Sequence, residues 1–143
     1  MQTQENKAGQ FKVKQVLLVA LLFMMVGTTM ELYLLDHYED SLQLIPILCL
    51  GASLLVMLLL LFLKLKVLVR IFQFLMVATA LSGVYGTYLH LQANFEFEQE
   101  MKPTADTWSL FVESLSGALP TLAPASMIVL ALIGYSYLIL IKQ

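Results

Sequence analysis

Apolar residues gather into four long runs separated by short polar breaks. The first follows Lys14 and continues through Leu35 with Glu31 as its only charged member, and it stops at the cluster Asp36-His37-Tyr38-Glu39-Asp40. The second, 42–63, is interrupted by Gln43, Pro46 and Ser53 and stops at Lys64-Leu65-Lys66. The third, 67–91, carries Arg70 and Gln73 near one end and His90 near the other, and the fourth, 122–141, stops at Lys142. A helix rising 1.5 Å per residue crosses about 30 Å of hydrocarbon in about 20 residues, so each run is long enough to span a bilayer. Lipid offers backbone groups no hydrogen bonds, and helices satisfy theirs internally. The pattern therefore predicts an all-α, integral membrane four-helix bundle with spans 15–35, 42–63, 67–91 and 122–141. Pro46 falls in the first turns of its helix, where proline is tolerated.

A shorter pattern lies between the third and fourth runs. Trp108, Phe111, Val112, Leu115 and Leu119 recur at helical spacing, opposite Ser109, Glu113 and Ser116. This predicts an additional amphipathic interfacial helix on the outer side, over 105–118, capped by Thr104 or Asp106 and lying on the surface or over the bundle mouth. Gly117, Pro120 and Pro124 separate it from the fourth span. Phe95-Glu96-Phe97-Glu98 alternates aromatic and acid, which predicts a short extended piece with both rings on one side. Met1 to Gln10 is polar and expected to be mobile.

Composition agrees. In 143 residues, 59% are hydrophobic and 13% charged, and mean hydropathy is +0.82, whereas soluble domains carry about 25% charged residues. That balance excludes a disordered chain, a nucleic-acid-binding domain and a secreted disulfide scaffold, and the single Cys49 has no internal partner. Four spans leave no room for a soluble catalytic domain.

The charges set an expected orientation. Seven of the eight basic residues, Lys7, Lys12, Lys14, Lys64, Lys66, Arg70 and Lys142, fall on one side and only Lys102 on the other. Basic residues flanking spans are retained inside, so both termini are expected in the cytoplasm, in a bacterial cytoplasmic membrane with compact loops. Nine acids, including Glu31, Asp36, Glu96 and Glu98, then crowd the outer side. The basic start of the first run resembles a signal peptide. It has no small-residue cleavage site and its apolar stretch continues as an uncleaved span would.

Two kinds of residue invite a role. Ala78, Ser82, Gly86, His90 and Asn94 succeed one another at four-residue steps in the third span, with Gly83 beside them. Ala78, Ser82, Gly83 and Gly86 are small enough to let another helix approach closely. Glu31 is costly within a span, and its depth matches that of His90 to about 5 Å, so the two are expected to meet. Either they form an interhelical hydrogen-bonded pair, or Glu31 and His90, helped by His37 or by Glu96 and Glu98, hold a divalent metal ion, for which imidazole and carboxylate are suitable donors. His37, on a continued helix, would face away from Glu31. No Cys-x-x-Cys, Glu-x-x-His or phosphate-binding loop occurs, and two histidines are too few for a membrane di-iron site. The expected role is a non-enzymatic accessory or scaffold subunit, with a lipid bilayer and a membrane protein or a second copy as partners and no nucleic acid. The alternative is an outer-face cation-binding component. A proton-coupled transporter ranks last, because no charge lies near mid-membrane.

Overall fold

The computed structural model describes residues 2–63 and 65–142. It contains α1 (Gln2–Leu34), α2 (Ser41–Phe62), α3 (Lys66–Met101), the short α4 (Thr107–Ser114), one 3-10 turn (Ala123–Ala125) and α5 (Ser126–Lys142). Four helical stretches are long and apolar enough to cross a membrane. The bundle is all-α, as the four runs require. Its neighbours are α1 with α2, α2 with α3, α3 with α5 and α5 with α1. This is an up-down-up-down ring in which every adjacent pair is antiparallel. The cluster 36–40, the far end of α3 and α4 share one end of the bundle, called here the acidic end. The α2–α3 junction and the end of α5 share the other.

The helix boundaries have local causes. α1 ends in a Schellman arrangement, in which Asp36 N–H donates to the Tyr33 carbonyl at 3.2 Å and His37 N–H to the Leu32 carbonyl at 2.9 Å. Asp36 takes the left-handed backbone this requires, with φ 52°. α2 opens in a capping box: the Asp40 carboxylate accepts from the Leu42 N–H at 2.6 Å, and Gln43 Oε1 accepts from the Asp40 N–H at 3.3 Å. The helix then runs through Pro46 without interruption.

α3 departs most from expectation. It continues ten residues past position 91 to Met101, giving 36 residues and a length of about 54 Å, well beyond the hydrocarbon thickness. Phe95 to Glu98 is therefore helical, not extended. Neighbours one turn apart hold the extension: Gln92 donates to Glu96 at 2.8 Å, and Lys102 pairs with Glu98 at 3.2 Å. On a helix Phe95 and Phe97 cannot share a face, and Phe97 is exposed while Phe95 is half-buried. Pro103 stops the helix, since the residue before a proline disfavours the helical region. At the other end of the chain α1 begins at Gln2, so the polar segment up to Gln10 is helical, and Met1 lies outside the described residues.

The core is packed by Leu21, Met25, Leu50, Met57, Phe72, Met76, Met127, Leu130 and Leu138, all essentially buried. Four of these nine are methionines, whose unbranched chains fill irregular gaps between helices. Gly134 lets Met76 lie directly against α5, where any β-carbon would overlap its sulfur. The outward faces are apolar too: Phe23, Leu48, Phe74 and Leu132 are largely exposed. A bundle apolar inside and out suits lipid, not water.

Candidate functional site

The polar chemistry of the chain concentrates at the acidic end, where the extension of α3 grips the segment between α4 and α5. After α4, the chain turns through Gly117 and Pro120, leaving carbonyls that no helix satisfies. Asn94 supplies the missing partners. Its Nδ2 lies within donating distance of the Ser114 carbonyl at 3.0 Å, the Leu119 carbonyl at 2.8 Å and Thr121 Oγ1 at 2.9 Å, while its Oδ1 accepts from the Leu119 N–H at 3.0 Å. Thr121 Oγ1 donates in turn to the Ser114 carbonyl at 2.9 Å. Asn94, Ser114 and Thr121 are all buried. Such a network holds a segment because each member left without a partner would carry a desolvation penalty. Gly117 is part of it, since a β-carbon there would stand 2.5 Å from Asn94 Cγ. One turn below, His90 Nδ1 lies 3.2 Å from the Pro120 carbonyl. A carbonyl only accepts, so Nδ1 carries the proton in this contact.

α4 is shorter than the expected 105–118. Asp106 is its cap, accepting from the Trp108 and Ser109 N–H groups at 3.1 Å each and from Ser109 Oγ at 2.6 Å. These bonds, led by the Ser109 hydroxyl, hold the Asp106 carboxyl below the usual carboxylate range. Lys102 ties α4 to the end of α3 through Glu113 at 2.6 Å. The buried residues of α4 are Leu110 and Ser114. The apolar stripe is turned outward, with Trp108 71% exposed, stacked on Phe111 at 5.7 Å between centroids, beside exposed Val112, Leu115 and Leu119.

The five residues considered for a metal do not converge. Glu31 is exposed and has no side-chain hydrogen bond or ion pair among the described residues, so the expected meeting with His90 does not occur. Glu96 is held by Gln92 and Glu98 by Lys102. Among the described residues no three of His, Cys, Asp and Glu gather closely enough to hold an ion. His37 does approach His90: their ring centroids are 6.5 Å apart, with planes at 68°. The end of α1 at Leu34 makes this possible, because the turn carries His37 back over the bundle. Burial pushes the His37 imidazole below its ordinary range, a charged His90 would lower it further, and Asp40 opposes both.

The small residues of α3 divide. Gly83 and Gly86 receive Pro124, whose carbonyl oxygen would lie 2.7 Å from a β-carbon on Gly83 and whose Cβ would lie 2.9 Å from one on Gly86. Ala78 and Ser82 are only half-buried. Four-residue steps advance about 40° per step around a helix, so a row from Ala78 to Asn94 cannot keep to one face. The buried line instead passes through Phe72, Met76, Thr79 and Gly83 to Asn94. Sequence alone placed Asn94 only at the end of that row and missed its role; the breaker residues at 117 and 120 were the available signal, since a broken backbone packed beside a helix needs a side-chain donor. Family models, curated proteins and solved structures were compared with the chain, and none matches it.

Proposed function

We propose that the chain is a non-enzymatic accessory or scaffold subunit of a larger assembly in a bacterial cytoplasmic membrane, with both termini in the cytoplasm and the acidic end outside. The orientation rests on the basic residues, which cluster at the opposite end. The observation that carries the role is α4: an amphipathic helix fixed to the bundle by the Asn94 network and Lys102, yet presenting Trp108, Phe111 and Val112 away from it. A helix anchored through its polar connections with its apolar stripe free is built to meet a second surface. The bundle interior supports the same reading. It is filled mainly by aliphatic, methionine and aromatic side chains, with the small hydroxyls of Ser53 and Thr79 among them, and the hydrogen-bonding groups of the Asn94 network are spent on holding the chain itself.

The test is a photo-crosslinking amino acid at Trp108 in native membranes. The proposal expects one specific adduct with a larger membrane protein, lost when Asn94→Ala releases α4 and absent when the crosslinker stands at Phe74 on the lipid-facing side of α3. Adducts with lipid or with a second copy alone would overturn it. The cation reading keeps one observation in its favour, the His37–His90 approach, in place of the Glu31–His90 pair first expected.

A further inference from the structure

We infer that His37 and His90 form a two-imidazole site for a borderline transition-metal ion such as Cu2+ or Zn2+, joining the α1–α2 turn to α3. This goes beyond the accessory role and does not depend on it.

The first ground is the state of His90. Its Nδ1 faces the Pro120 carbonyl, which in the neutral ring puts the lone pair on Nε2, and a backbone carbonyl on the far nitrogen is the arrangement that orients metal-ligating imidazoles. The second ground is geometry. Imidazole lone pairs lie in the ring plane, so two rings meeting at 68° can aim nitrogens at one point between them, as face-to-face stacked rings cannot. Metal–nitrogen bonds of about 2.0–2.1 Å place two ring centroids about 5 Å apart on a tetrahedral ion. The observed 6.5 Å leaves a closure of about 1–2 Å. His37 can supply it by side-chain rotation, since it sits in a turn outside any helix.

The donor set selects the ion. Imidazole suits Cu, Zn and Ni, whereas Ca2+ and Mg2+ require oxygen cages that these two residues do not offer. The two rings leave the remaining coordination positions to water, so the ion would be exchangeable, unlike a closed structural zinc. It would also lie on a mechanical path: His90 touches Pro120, and Pro120 belongs to the segment that Asn94 holds. An ion at this pair would fasten three elements together.

The experiment uses the full chain without added histidines, reconstituted in lipid nanodiscs, stripped with chelator and titrated with CuCl2 under electron paramagnetic resonance. The expected result is one Cu2+ per chain, hyperfine structure from two nitrogens, and displacement by ZnCl2. His37→Gln and His90→Gln should each remove one nitrogen from the spectrum and weaken binding at least about 100-fold, since losing an outer-shell partner alone costs 10–100-fold. Glu31→Gln and Glu96→Gln should bind as the parent does. His37→Gln decides the matter if His90→Gln fails to fold, because its ring lies outside the helices. Binding below one ion per chain, or an unchanged two-nitrogen spectrum in His37→Gln, would overturn the assignment.

Discussion

Replacing Asn94 by alanine should free the acidic-end segment while leaving the spans intact. The side chain offers two N–H donors and one carbonyl, and the structure employs all three against Ser114, Leu119 and Thr121. At about 1 kcal/mol net for each, the loss comes to about 3 kcal/mol. The Leu119 N–H would also lose its acceptor, which pushes the figure upward. Since about 1.4 kcal/mol is a factor of ten, local opening should rise about 100-fold. Hydrogen–deuterium exchange in nanodiscs reads this directly, in peptides covering 107–121 compared with peptides from α2 and α5. The expected pattern is acceleration confined to 107–121. Asn94→Asp should be at least as damaging despite its near-identical shape, because it sets a carboxylate oxygen against the carbonyls of Ser114 and Leu119. Exchange in 107–121 changed less than about fivefold would refute the network's role, as would equal acceleration throughout the bundle.

The glycines of the helices and the cap of α4 lead to further outcomes. Gly83→Ala should destabilise the bundle by about 1–3 kcal/mol, because the new β-carbon meets the Pro124 backbone oxygen, which cannot swing aside. Gly27→Ala and Gly51→Ala, with nothing within 4 Å of the added carbon, should gain up to about 1 kcal/mol from helix propensity, so thermal unfolding in detergent should move in opposite directions for the two classes. The Asp106 cap should make α4 sensitive to acid. Its carboxyl is held below the ordinary range, so the contribution is complete above that range and is lost as pH falls through the depressed value. Protection of the Trp108 and Ser109 amides, taken relative to the intrinsic exchange rate at each pH, should fall on acidification, and Asp106→Asn should remove most of that pH dependence.

The spans were legible in the sequence because lipid imposes a simple rule: about 20 apolar residues with no unsatisfied backbone. The rule is silent beyond the hydrocarbon, and there the reading diverged. α3 passes its expected end because polar pairs such as Gln92–Glu96 sustain a helix without any apolar signal. His37 reaches His90 because α1 ends at Leu34 through Asp36 in a left-handed conformation, a position more often filled by glycine and so poorly marked in the chain. The face that α4 turns to the bundle was not legible, for a different reason. An apolar stripe identifies the face that avoids water, and beside a membrane or a partner that face need not be the one packed on the chain's own core. Asn94 was visible as a polar residue on α3, but the carbonyls and the hydroxyl it serves lie 20 to 27 residues away. Only the fold brings them together.

All of this depends on His37, Asn94 and α4 standing together on one side of the bilayer, with the α2–α3 junction on the other. Single cysteines at Asp36, Gln99 and Ser116, and at Gln10 and Leu65, in a chain with Cys49→Ser, can be probed with a membrane-impermeant maleimide on intact cells. The account predicts labelling at 36, 99 and 116 from outside, and labelling at 10 and 65 only after the membrane is opened. If 36 and 116 prove accessible from opposite sides, or 65 labels in intact cells, the four-span arrangement and the site built on it are contradicted.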